Sequence, residues 1–297
     1  MKKMKAAPEA GASKRLFRAK IRLATRADAA ELQAIYAHYV EKTTVSFEYE
    51  APSVAEMERR IAEVEGVYPF LVCVVEGEIG KDGEIGGNAE DVSPDERGAD
   101  AKIGENDRDA KSDKTGGVGG VGKTCEAGKA DKTDKVGERI VGYALAHRAF
   151  ERAAYSWVAE TAVYVDRDWR RLGIGEALYS ALIEILTAQG LRSLYAVVVA
   201  ENKASVEFHK RAGYREFATF KNSGWKFGRW LDVVWLERTL GVWRDEEGAE
   251  KRKENGGPAP SPVRPLAETP RERLAEICAA AALLFAPSGG RRSTDAP

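Results

Sequence analysis

An excess of charge of either sign is what this chain most plainly lacks. Its 46 Lys and Arg residues stand against 47 Asp and Glu residues, a formal net charge of −1 over 297 residues. That balance gives no electrostatic reason to expect a nucleic-acid or membrane partner, so the ligand has to be sought in a site. Cysteine and histidine are also sparse. Cys73, Cys125 and Cys278 lie far apart with no Cys-x-x-Cys, and His38, His147 and His209 are equally scattered. Neither a disulfide framework nor a metal site is expected from such spacing. Long apolar runs are missing too: Ile277 to Ala286 is too short to span a bilayer, and no apolar signal core follows Met1. A soluble, cytoplasmic chain is the expectation. Residues 1–19 carry Lys2, Lys3, Lys5, Lys14, Arg15 and Arg18 against Glu9. They read as a disordered basic tail, with an organelle-targeting arm as the alternative.

Hydrophobic periodicity supplies the elements. Ile21-Arg22-Leu23 reads as a short strand. Thr25 and Asp28 have capping-box spacing before a helix with Leu32, Ile35, Tyr36 and Tyr39 on one face. A second helix runs from Ser53 through Ile61 and Val64, followed by apolar strands over Phe70 to Glu76 and Ile140 to Ala146. Residues 77–139, between those strands, contain no aromatic residue and no leucine, yet hold about half of the chain's 29 glycines. Such a segment cannot bury enough apolar surface to offset the entropy of ordering, so it reads as a disordered insertion in a hairpin. Loop closure grows only logarithmically in cost with length, so the hairpin can carry it. Within the insertion, Gly117 to Thr124 satisfies the Gly-x4-Gly-Lys-Thr expression, but it has neither the buried strand before it nor the apolar helix after it that a phosphate loop requires.

Val158 to Val165 is the next strand. A helix near Gly173 then carries Ile174, Leu178, Leu182, Ile185 and Leu186 on one face and stops at Gly190. A strand over Leu194 to Val199, a helix over Asn202 to Ala212, and strands near Tyr214 to Lys221 and Asp232 to Arg238 complete the order β-α-α-β-β-β-α-β-α-β-β. The expected fold is mixed α/β, a mixed sheet flanked by helices, over residues 20–240. Beyond it, 241–297 reads as a mostly disordered tail. Within that tail a short helix at 269–285, with Thr269 and Glu272 as its capping box, is an appendage.

Chemistry concentrates where the Val158 to Val165 strand meets its helix. Arg170-Arg171-Leu172-Gly173-Ile174-Gly175-Glu176 sets two guanidinium groups before a glycine-rich helix start. The first-turn amides of that helix have no intrahelical acceptor, glycine lets a ligand approach the backbone, and arginine pairs bidentately with phosphate. The pattern Arg-x-x-Gly-x-Gly differs from the Gly-x-Gly-x-x-Gly of dinucleotide folds and points to the pyrophosphate of coenzyme A.

This motif resembles the acyl-CoA signature of the GNAT superfamily. Ala200 to Ser205 followed by His209 and Gly213-Tyr214 is similar to the family's second cofactor-contacting helix. His38 to Phe47, Arg152 to Trp157 and Gly224 to Trp235 resemble its phosphinothricin N-acetyltransferase branch. The resemblance implies an acetyl-CoA-dependent N-acetyltransferase acting on the amino group of a small amino-acid-like substrate, and a homodimer. It implies a cofactor site of Arg170 to Glu176, the backbone of Val163, Tyr164 and Val165, and Asn202 with Ser205; Asn202 is equally an ordinary helix cap. It assigns Glu160 as the base that frees the amine, and His209 as an acid or relay near its ordinary pKa. The bland alternatives are a paired surface carboxylate and a helix histidine bonded to its surroundings. For the acceptor it implies Phe47, Arg152 and Tyr155, with Arg148 compensating for Phe150, which stands where the branch has a basic residue. Trp225, Trp230 and Trp235 are expected to be packing residues. Acetylation of a protein amine and non-catalytic acyl-CoA binding are the competing functions.

Overall fold

The structure, a computed structural model, describes residues 18–78, 136–241 and 261–284. Its elements are β1 (Arg18–Leu23), α1 (Ala29–Lys42), α2 (Val54–Val64), β2 (Phe70–Glu78), β3 (Val136–Arg148), β4 (Val158–Val165), α3 (Ile174–Gln189), β5 (Ser193–Val199), α4 (Lys203–Arg211), β6 (Arg215–Lys226), β7 (Arg229–Thr239) and α5 (Arg271–Ala282). The order expected from periodicity is the order found, with α5 added. The strands form one sheet in the order β1-β2-β3-β4-β5-β7-β6. Neighbours are antiparallel except β4 and β5, which are parallel and pair only over Val158–Glu160 against Ser193–Tyr195.

Both faces of the sheet are covered. On one, α1 and α2 bury Leu32, Val40, Met57 and Ile61 against Val72, Val74 and Tyr143. On the other, α3 buries Leu178, Leu182, Ile185 and Leu186 against Leu71, Val141, Leu194 and Leu236. Because β2 sits between two helical layers, all of Phe70 to Val75 is buried, and the strand reads as a continuous apolar run instead of an alternation. The β2–β3 hairpin extends beyond the strand ends expected at Glu76 and Ile140, pairing Gly77 with Gly137 and Glu78 with Val136. Residues 79–135, which hold most of the proposed insertion and the Gly117 to Thr124 match, lie outside the described residues, as do residues 1–17.

Local capping follows the sequence at most ends. Ser53 Oγ accepts from Glu56 N at 3.1 Å to start α2. Asp28 accepts from Thr25 N at 2.7 Å, though a 3-10 turn over Arg26–Asp28 intervenes before α1. The C-terminal helix departs from expectation in two ways. Its N-cap is Pro270 with no side-chain cap, so Thr269 and Glu272 form no capping box. Nor is it an appendage, because Ile277, Cys278 and Ala281 are buried in the same core as α3 and β1. The segment leading to it is tied down by Gln189, whose Nε2 donates to Val67 O at 2.8 Å and Arg264 O at 2.9 Å. A helix that alternates Ala with scattered apolar residues has weak periodicity, and the face it uses is set by these ties.

Ile277, 1% exposed, is therefore a core residue. Ile277→Ala should destabilise the fold by about 2–5 kcal/mol, seen as a lower urea midpoint with an unchanged slope. An unchanged midpoint would return α5 to the status of an appendage.

Candidate active site

Side chains alternate along β4. Ala159 and Thr161 face the α3 layer, whereas Ala162 and Tyr164 line a cavity of about 690 Å3 on the α1–α2 side with Tyr36, Glu48, Arg60, His147 and Arg148. Glu160 shares the face of Ala162 and Tyr164 and lies across from His147 on β3. Burial raises its pKa, and the charge of His147 pulls it partway back. A carboxylate of that kind is suited to accept a proton near neutral pH.

Backbone groups alternate as well, toward one strand edge or the other. Asp166 N donates to Val141 O at 2.9 Å, which turns the even-numbered residues of β4 toward β3 and Thr161, Val163 and Val165 toward β5. Since pairing with β5 ends at Glu160 and Tyr195, the groups of Val163 and Val165 face a gap. Of the residues expected to offer backbone to a cofactor, Val163 and Val165 point into this gap, and Tyr164 does not. The peptide of Tyr164 belongs to the β3 ladder and its ring to the acceptor-side cavity. Val165 is already engaged: the Tyr39 hydroxyl donates to its carbonyl at 2.5 Å and accepts from its N–H at 3.3 Å.

The gap opens onto the glycine-rich turn. Asp166 accepts from Asp168 N at 3.0 Å and from Arg139 at 2.8 Å, starting a 3-10 turn that buries Trp169. Arg171 and Gly173 then adopt left-handed conformations, with φ of 63° and 82°. Left-handed turns of this kind can aim successive N–H groups into an anion-binding nest, and a positive φ at the non-glycine Arg171 is the kind of strain found at ligand sites. Helix α3 begins at Ile174, and Ala177 N donates to Gly173 O at 3.0 Å, so the amides of Ile174, Gly175 and Glu176 remain available. Arg171 is exposed beside them, as is Arg170, whose guanidinium lies 5.2 Å from the centre of the Tyr39 ring. At Gly175 a Cβ would stand 3.4 Å from the Phe208 ring, so this glycine serves the approach of α4 to α3.

Helix α4 starts at Asn202, whose Oδ1 accepts from Ser205 N at 3.2 Å, the ordinary cap geometry. One turn on, His209 is 4% exposed. Its Nδ1 lies 2.8 Å from Ser205 O, so that nitrogen carries the proton, and Nε2 lies 2.9 Å from Tyr179 OH. Thr161 Oγ1 sits 2.9 Å from both Tyr179 OH and Tyr214 OH. Burial lowers the His209 pKa, opposed by its bond to Ser205, so the neutral form is favoured and the ring departs from the ordinary value that was expected. Glu160 and His209 are not brought together. They stand on opposite faces of β4, with Thr161 as the residue between.

The expected acceptor residues scatter. Arg148 lines the cavity, while Arg152 and Tyr155 are exposed in the turn after β3. The Phe150 ring packs against Tyr155 at 4.8 Å and Tyr195 at 5.9 Å. Phe47 lies against Gly224, where a Cβ would overlap its ring at 2.1 Å. Trp225 and Trp230, expected to be packing residues, pack on each other at 5.3 Å but are 46% and 58% exposed, joining Phe217, Phe220 and Phe227 on the edge hairpin β6–β7. Sequence reasoning passed over Tyr39, which has only the helical periodicity of a core residue, and Tyr36 for the same reason. It also passed over the Glu48–Arg60 pair, 2.9 Å and 3.0 Å, because the partners are twelve residues apart in irregular chain and helix. Among the described residues no cluster of His, Cys, Asp and Glu is arranged to hold a metal ion, and no helix is long and apolar enough to cross a membrane.

Comparison with known proteins agrees with this geometry. The family described as the acetyltransferase (GNAT) domain matches residues 21–87 and 132–235. An N-acetyltransferase of Streptomyces griseus is 39% identical over 119 residues, 40% of this chain and 61% of that protein. The chain thus spans about three fifths of that relative. A phosphinothricin N-acetyltransferase of Streptomyces viridochromogenes is 28% identical over 218 residues, 73% of this chain and 86% of its own. A phosphinothricin acetyltransferase from Sinorhizobium meliloti, solved with acetyl-CoA, superposes with a TM-score of 0.52 at 24% identity, covering 79% of this chain and 94% of its own, a likeness of fold.

The raised pKa of Glu160 makes a prediction whose sign is fixed. An acid whose folded value lies above its unfolded one stabilises the fold fully below the unfolded value, and that contribution is lost as pH rises through the folded one. Glu160→Gln should match the parent in melting temperature below about pH 4 and exceed it at about pH 8. A melting temperature below the parent's at the higher pH would mean that the carboxylate is favourably paired.

Proposed function

Because the chain belongs to the GNAT acetyltransferase family, we propose that it is an acetyl-CoA-dependent N-acetyltransferase acting on the amine of a small amino-acid-like substrate. The observation that carries this reading is the parting of β4 from β5 after Glu160, which leaves the Val163 edge open on the way to the open amides of Ile174, Gly175 and Glu176. The donor set suits coenzyme A. The nest at Arg171 to Gly173, flanked by two exposed arginines, offers N–H and guanidinium groups to a pyrophosphate, and the Val163 edge offers one N–H and one C=O to an amide-bearing arm. Acetyl-CoA supplies the acetyl group as an activated thioester.

This chain's residues supply the rest. Glu160 removes a proton from the acceptor ammonium, giving nitrogen the lone pair with which it attacks the thioester carbonyl. A β4 amide in the gap donates to the carbonyl oxygen as negative charge gathers there. As the new C–N bond forms and the C–S bond breaks, the proton remaining on nitrogen passes to the departing thiolate, with the hydroxyl chain of Thr161 and Tyr179 that ends at His209 as its relay. In this reading the cavity of Tyr36, Glu48, Arg60 and Arg148 receives the acceptor's side chain. The enzyme is further proposed to be cytoplasmic, and to form a homodimer for which the exposed aromatics of β6–β7 offer an apolar face.

The test is release of CoA thiol from acetyl-CoA against methionine sulfoximine, methionine sulfone, phosphinothricin, glutamate, polyamines and a basic peptide. Phe150 in place of a cation favours the less charged side chains. Methionine sulfoximine or sulfone should exceed phosphinothricin by about tenfold to a hundredfold, the worth of one charged contact. A basic peptide or polyamine outrunning every amino-acid analogue would overturn the substrate class. In titration calorimetry, Arg171→Ala should weaken acetyl-CoA binding about tenfold to a hundredfold. Unchanged affinity would remove the cradle from the proposal.

A further inference from the structure

A lysine that is 2% exposed needs an explanation, because an ammonium group is seldom taken wholly out of water without a partner. Lys226, at the end of β6, finds two. Its Nζ donates to Val40 O and to Ser46 O, each at 2.6 Å. Val40 lies in the last turn of α1, where carbonyls lack intrahelical donors and the helix end favours positive charge. Ser46 belongs to the irregular segment 43–53 between α1 and α2. One side chain therefore fastens the end of a helix, the loop that leaves it and the tip of a hairpin that follows in sequence some 180 residues later.

The neighbours of Lys226 repeat the attachment. Gly224 must lack a Cβ because the Phe47 ring lies on it. Tyr49 OH donates to Trp225 O at 2.7 Å. Thr44 Oγ1 donates at 2.8 Å to Glu201, which pairs with Arg229 at 2.7 Å. On its other side the same loop reaches the cavity below Glu160. Tyr36 OH bonds to Ser46 Oγ at 2.8 Å and to Glu48 at 2.9 Å, and Glu48 receives the guanidinium of Arg60. A shift of Ser46 is thus carried to three residues that line the acceptor-side cavity.

We propose that Lys226, backed by Gly224, is a positioning residue for the acceptor. It holds the 43–49 loop, and through Ser46 it sets where Tyr36, Glu48 and Phe47 stand. The proposal rests on the acetyl-transfer reading for its kinetic consequence but not for the clamp itself. An apolar side chain of similar length would fill the space and leave both carbonyls unpaired, so the loop would loosen while β2, β3 and the proposed cofactor cradle, which the Lys226 side chain does not bond, would stay.

Two measurements on the full chain test it. In Lys226→Met, hydrogen–deuterium exchange should accelerate within 40–49 and remain unchanged in β2, β3 and α3. With methionine sulfoximine as the acceptor, its KM should rise about tenfold while the KM of acetyl-CoA stays within about twofold. Unchanged exchange over 40–49, or both KM values rising together, would overturn the proposal. Should Lys226→Met fail to fold, Gly224→Ala, which pushes only the Phe47 ring, must show the same acceptor-selective rise or the idea fails. A parent protein that acetylates no amine would sink the acetyl-transfer reading, and the exchange measurement would still decide the clamp.

Discussion

The parting of β4 from β5 after Glu160 is the constraint to which the rest of the site answers. Buried backbone N–H and C=O groups are almost always paired, so a strand that loses its neighbour in mid-sheet leaves donors and acceptors in need of partners. In this protein they remain on Val163, beyond the last rung at Glu160 and Tyr195. A parallel pair also requires a crossover, and α3 provides it. The helix must therefore begin where β4 ends, which brings its own unpaired amides to the mouth of the same gap. Strand edge and helix start together form a continuous line of backbone hydrogen-bonding groups, and the core beneath α3 keeps that line from relaxing. The Tyr39 hydroxyl, bonded to both groups of Val165, satisfies one rung of it from the opposite layer.

Opposite faces of one strand separate the two proton-handling groups. Burial raises the pKa of Glu160 and lowers that of His209, so each is drawn toward its neutral form. For the carboxyl this brings proton uptake closer to neutral pH. For the imidazole it leaves a lone pair on Nε2, 2.9 Å from the Tyr179 hydroxyl. Tyr214 is pushed up to about 12 and Tyr179 well above its usual value, so both phenols stay protonated and serve as donors. In the proposed reaction the acceptor meets Glu160 on one side of β4, and the thiolate leaves on the side where the hydroxyl chain ends at His209. The strand itself keeps the proton taken from the amine away from the one returned to sulfur.

Legibility in the sequence followed the range of the interaction. The elements were readable because their signals are local: β4 appears at its expected ends, α3 lies between two left-handed glycines, and Asn202 caps α4. The proposed cradle was readable as a candidate because its chemistry is held within seven consecutive residues. Tyr39, Lys226 and the Glu48–Arg60 pair were not, since each acts through a partner on another element and none carries a local mark of it. The tryptophans of β6 and β7 misled for a related reason. Edge strands present aromatic residues to solvent as readily as to the core, and residue type alone does not say which face a bulged strand turns outward.

The C-terminal segment shows how an addition outside the family match can bear on the site without touching the chemistry. The family match ends at residue 235, and beyond it the carbonyl of Ser261 accepts from Trp157 Nε1 at 2.8 Å close to the start of β4. The chain then passes Gln189 at the end of α3 and runs beside Gly66 and Val67, where Leu266 N and Ala267 N find carbonyls. From there α5 packs along α3 and β1, and Arg273 pairs with Glu184 of α3 at 2.7 Å. Its last described residue, Leu284, places a carbonyl 3.6 Å from where a Cβ on Gly173 would stand. The strap thus braces α3 at both ends. The helix whose first amides form the proposed cradle is held by the sheet beneath it and by a second helix alongside. That fixes the direction of those amides more firmly than the glycine-rich turn could on its own, because a left-handed glycine imposes a bend but little resistance to changing it.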